Sequence, residues 1–141
     1  PFLQLVASEF ELVPVAMGII TSTELEQLTA AISSCLDDKK TLIVASTDLS
    51  HFYSEAAARE IDGDFIKAFL EMNPAAFEKD CKAGNIEACG AHPVALVMRL
   101  AGKMMENPIA EIIDYRTSAQ ISGDISSVVG YLSARIFDRK E

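Results

Sequence analysis

The stretch T-L-I-V-A-S-T-D-L-S-H, residues 41–51, decides how this chain is read. Its first half is a near-continuous apolar, β-branched run of the kind buried on both faces of a parallel sheet, which predicts a central strand over residues 41–46. Ligands in open α/β sheets bind beyond the carboxyl ends of such strands, and Asp48 and His51 follow there at once. His51 is one of only two histidines in the chain. A carboxylate and an imidazole three residues apart in a turn can converge on one point, with Asp48 orienting the ring or both facing a bound species. A capping aspartate beside a surface histidine has the same spacing, so the motif alone leaves both readings open.

Outward from that stretch, periodicity sets the remaining elements. "FELVPVAMGI" (10–19) reads as a short edge or irregular strand, tempered by Pro14. "TSTE" (21–24) has the pattern of a capping box ahead of Leu25, Leu28, Ile32 and Leu36, which predicts an amphipathic helix of about four turns. A second helix is expected from Ser54 to about Met72, with Ile61, Phe65 and Phe69 on its apolar face. Asn73 and Pro74 start a third that stops near Gly84. "HPVALVMRLAG" (92–102) opens with a first-turn proline and is apolar nearly all round, so a buried helix is expected. "AEIIDYRTS" and "SSVVGYLSARIF" then form an antiparallel pair around a turn, with Val128, Leu132, Ala134 and Ile136 on one face. Strands alternating with helices predict an α/β fold, a sheet flanked by helices on both faces, in a single domain over 1–141.

Composition excludes several functions. With 141 residues and 50% hydrophobic content the chain can bury one real core. A net charge of −9 and no basic cluster argue against nucleic acid. The longest apolar runs fall well short of the roughly 20 residues that span a bilayer, so a soluble protein with no membrane partner is expected. Three cysteines are an odd number for a disulfide framework and fit a reducing, cytoplasmic setting. Nucleophile-elbow, phosphate-loop and dinucleotide signatures are absent. "PFLQLV" opens the chain without an initiator methionine and on core-type residues, as a truncated or processed chain would.

A second chemical motif is "EACGAHP" (87–93), where Cys89 stands beside a helix start. A thiol near the positive end of a helix makes a good nucleophile and a good ligand for a soft metal, although a zinc site would need about four ligands at set spacings. Cys35 and Cys81 fall in amphipathic helices and read as small core residues.

Taken together, "PFLQ" (1–4), "LIVASTDLSHFYSEAAA" (42–58), "EACGAHP" and "TSAQISGDISSVVGYLSA" (117–134) resemble, in collinear order, the C-terminal half of the Memo family, also called AmmeMemoRadiSam system protein B. That resemblance implies a fold related to the class III extradiol dioxygenases, iron(II) or copper as cofactor, and roles in redox chemistry or in peptide or small-ligand binding. It assigns Cys89 as a metal ligand, and Asp48 and His51 as the pair lining the same pocket, with His51 as the acid/base group. His92 is not carried over. Two further metal-binding histidines of the family precede the segment matching "PFLQ". A two-histidine, one-cysteine set therefore cannot close within these residues, and metal binding by the chain alone is expected to be weak or absent. The alternatives are a binding module without turnover, or an inactive fragment. Sheet edges left open by a missing N-terminal half predict self-association.

Overall fold

A computed structural model describes residues 2–7, 9–36 and 41–139. Among these residues six helices and three strands form a mixed α/β arrangement. After a short α1 (Phe2–Val6), helix α2 (Ser22–Cys35) begins where the capping box predicts. The Glu24 backbone N–H donates to Thr21 Oγ1, and the Thr21 N–H donates to Glu24 Oε2 at 2.7 Å. Strand β1 (His51–Tyr53) leads into α3 (Glu55–Leu70), capped by Ser54, and α4 (Pro74–Ala83) follows, capped by Asn73. Gly84 ends α4 at φ 73°, a left-handed position where a side chain is costly. The apolar helix α5 (Ala91–Met104) runs two residues past Gly102.

Helix α5 is the centre of the core. Val94, Ala95, Leu96, Met98 and Leu100 are buried against Leu25 of α2, Phe65 and Phe69 of α3 and Phe77 of α4. Phe65 and Phe77 meet edge to face, with centroids 5.3 Å apart, a geometry worth about 0.5–1.5 kcal/mol beyond area burial.

The C-terminal hairpin forms as its alternation predicts. Strand β2 (Pro108–Thr117) pairs antiparallel with β3 (Val128–Asp138), and β3 also pairs with β1, giving the order β1-β3-β2. The turn between β2 and β3 holds one helical turn, α6 (Ala119–Ser122), closed by left-handed Gly123. A bulge between Ile112 and Asp114 changes the phase of β2. Before it Ala110 and Ile112 face the core, and after it Tyr115 and Thr117 do, leaving Ile113 exposed.

Two expected strands are not formed. Residues 10–19 and 41–46 run without a ladder partner, and most of their apolar side chains stand in solvent, Ile19 98% exposed, Leu42 75% and Val44 60%, while Met17 and Ala45 pack on the core. A strand exists only through the hydrogen bonds of a neighbour, and no described strand lies alongside either segment. The sheet present is antiparallel and ends at β1, so the apolar run over 41–46 leads to the sheet's edge instead of crossing its centre.

Candidate functional site

Three sequence features converge at the edge beside β1. The extended segment ending at Asp48 lies against the loop that joins α4 to α5. The Asp48 backbone N–H donates to Cys89 Sγ at 3.1 Å, and the Cys89 N–H donates back to the Asp48 carbonyl at 3.2 Å. Thr47 completes the junction: its Oγ1 accepts the Gly90 N–H at 2.8 Å and lies 3.7 Å from Cys89 Sγ. Gly90 is dictated by this approach, because a Cβ there would sit 2.6 Å from both the Ser46 carbonyl oxygen and Thr47 Cβ. Glycine thus lets the cysteine loop pack onto the Asp48 segment.

His51 opens β1 and turns back towards Asp48, with Nε2 3.7 Å from Asp48 Oδ2 and both side chains partly exposed. The next residue, Phe52, is the bulge residue between the His51–Val129 and Tyr53–Val128 pairs. It adopts φ 67°, a strained region for a bulky side chain, and its ring projects into solvent 5.8 Å from the imidazole. Tyr53 then reaches across to donate its hydroxyl to Glu87 Oε2 at 3.1 Å. That hydrogen bond, more than the carboxylate charge, pushes the Tyr53 phenol up.

Asp48 and Cys89 are therefore brought into direct contact and His51 within reach of Asp48, so the two motifs form one site edge. His92, set aside in the sequence reading, lines with Cys89 a cavity of about 580 Å³ walled by Ile20, Leu25, Ile86 and Ala95. Of the other thiols, Cys81 is partly buried in that wall, and burial pushes its thiol up to about 11, the behaviour of an inert core cysteine. Cys35 differs from expectation: at the last turn of α2 it is exposed and not a core residue.

Among the described residues no three or more His, Cys, Asp or Glu side chains are grouped to hold a metal ion. One thiol, one carboxylate and one imidazole along an open edge can supply a soft donor and a proton-carrying group. They do not close a coordination sphere by themselves.

A family model for Memo-like proteins matches residues 1–135. The chain belongs to the Memo-like protein family. Relatives described as MEMO1 family proteins include one from Methanobrevibacter smithii, 39% identical over 135 residues that cover 94% of this chain and 48% of the relative. One from Methanocaldococcus jannaschii is 35% identical, covering 90% and 45%, and one from Thermotoga maritima is 33% identical, covering 97% and 48%. This Memo-like chain thus spans about half the length of the curated relatives it matches. No helix among its described residues is long and apolar enough to cross a membrane.

The residue that sequence reasoning missed is Asp62. The apolar period predicts a buried face of Ile61, Phe65 and Phe69, whereas the buried positions of α3 are Ala58, Asp62, Phe65 and Phe69. The available signal was a carboxylate three residues before Phe65 on an otherwise apolar face.

Proposed function

We propose that this chain supplies one wall of a metal-binding, dioxygenase-related or redox-active pocket, whose remaining donors lie outside residues 1–141. Cys89 is the metal ligand, His51 the acid/base group and Asp48 the carboxylate that orients it. Iron(II) or copper would supply the redox and Lewis-acid chemistry there.

The observation that carries this reading is the reciprocal hydrogen bonding between Asp48 and Cys89, which sets thiol, carboxylate and imidazole along one edge. A sulfur that accepts a backbone N–H keeps its lone pairs oriented, and the exposed side of the thiol stays open to a ligand. The His51 ring, 3.7 Å from Asp48 Oδ2, makes no hydrogen bond among the described residues, which leaves its nitrogens free for proton transfer. Equilibrium dialysis against iron(II) or copper(I) under nitrogen tests the assignment. Metal bound by the protein, even weakly, and lost in Cys89→Ser supports it; metal held equally by both overturns it.

The cavity beside Cys89 favours a second reading, a non-enzymatic site for a small, largely apolar ligand. Ligand binding that chelators and Cys89→Ser leave unchanged would favour that reading over the first.

A further inference from the structure

We infer that Asp62 is the positioning residue of this site, a buried carboxylate that fixes the backbone from which His51 projects. The inference deepens the reading of His51 and Cys89 as site residues.

Asp62 is fully buried on α3. Its Oδ1 accepts the Ser50 backbone N–H at 2.9 Å and its Oδ2 accepts the Tyr115 hydroxyl at 2.7 Å. No ion pair among the described residues neutralises it. A carboxylate buried with two donors and no cation is a costly choice where an apolar residue would pack, which points to a role other than stability.

Three parts of the chain are arranged around it. The β2 bulge turns Tyr115, instead of its neighbours, towards α3. On β3, Gly130 leaves room for the carboxylate, because a Cβ there would fall on Asp62 Oδ2. The same glycine holds the approach to β1 from the other side: its carbonyl accepts the Leu49 N–H at 2.9 Å and its N–H donates to the Ser50 carbonyl at 3.0 Å. Ser50 is thus gripped by Asp62 through its N–H and by Gly130 through its C=O. Its own buried hydroxyl has no partner among the described residues, and the backbone bonds set its place.

Ser50 stands between the two halves of the site. Asp48, two residues before, is tied to Cys89, and His51, one residue after, carries the imidazole. Phe52 beyond it is held in a left-handed conformation that needs surrounding constraint to persist. Releasing the Ser50 N–H therefore frees the His51 ring to move relative to Asp48 and Cys89, while the α5 core is untouched.

The test uses Asp62→Leu, which removes the acceptor of the Ser50 N–H, and Tyr115→Phe, which removes the donor that fixes Asp62 Oδ2, beside Leu100→Ala, a core change on α5. All three are made in a Cys35→Ser background, so that Cys89 is the exposed thiol. The readouts are the His51 ring cross-peak in the NMR spectrum at fixed pH and the rate of Cys89 alkylation by iodoacetamide. Asp62→Leu and Tyr115→Phe are expected to displace the ring signal and raise the alkylation rate several-fold, with Leu100→Ala leaving both near wild type despite lost stability. Should Asp62→Leu fail to fold, Tyr115→Phe carries the test. Ring signals and rates that follow stability alone across the three variants would overturn the proposal. None of these readouts requires bound metal, so failure of the metal reading is seen separately.

Discussion

Cys89 and Asp48 are joined by two backbone-borne hydrogen bonds, Asp48 N–H to Cys89 Sγ and Cys89 N–H to the Asp48 carbonyl, although they stand 41 positions apart in sequence. The contact exists because Gly90 admits the Ser46 carbonyl and the Thr47 side chain. Gly90→Ala is expected to lower stability by about 1–3 kcal/mol, since the obstructing atoms include backbone that cannot swing away. Urea unfolding measures the loss. Cys89 alkylation in the same variant should change as well, because the loop must shift from Asp48.

Phe52 offers a prediction of opposite sign. Holding a non-glycine residue in the left-handed region costs about 1–2 kcal/mol, while glycine's extra chain entropy costs roughly 0.5–1 kcal/mol. The ring is 81% exposed, so little burial is lost with it. Phe52→Gly should therefore raise the unfolding free energy by about 0.5–1 kcal/mol, whereas Phe52→Ala, which keeps the strain, should not. A thermal scan of the two variants distinguishes them.

Stability should fall on the alkaline side. Burial, first, and Asp80, second, push the Cys81 thiol from 9.0 up to about 11, and burial with the Asp62 hydrogen bond pushes the Tyr115 phenol well above 10.0. Both groups stay protonated in the folded protein and ionise sooner in the unfolded chain. Their contribution is complete below about pH 9 and is lost as pH rises through the folded-state values. Unfolding midpoints measured from neutral to about pH 11 should decline, and Cys81→Ala should flatten the first part of that decline. An unchanged slope in the variant would contradict the assignment.

The exposed runs at 10–19 and 41–44 predict self-association. Leu12, Val13, Val15, Leu42 and Val44 form the kind of apolar, unpaired backbone that seeks another strand. Light scattering behind a sizing column should show dimers or larger species, reduced by Val13→Lys with Val44→Lys. A monomer at high concentration would contradict this.

These same runs show where the sequence was readable. Helices α2 and α4 carry their own start chemistry in Thr21–Glu24 and Asn73–Pro74, and α5 its apolar stripe over 94–101, so local pattern located them. The hairpin of β2 and β3 was legible because both partners lie within 31 residues and alternate in phase. Residues 41–46 read as a central strand because their side chains ask for burial on both faces, but strand formation depends on neighbours that a local pattern does not reveal. For the candidate site, Asp48, His51 and Cys89 were visible as chemistry beside a strand end and a helix start. Asp62 was not, because a helical period scored on apolar residues passes over a charged one in the core. Nor was the place of His92 beside the Cys89 cavity, which depends on how α2 and α5 pack.

The central claim is that the Cys89 sulfur is a metal donor, and cobalt(II) titration monitored in the near ultraviolet tests it most directly. A thiolate bound to cobalt gives an intense charge-transfer band. Because the donor set is incomplete, the account predicts a weak band that grows only at high cobalt in the protein and in Cys35→Ser, and its loss in Cys89→Ser. A band of the same strength in Cys89→Ser would contradict it.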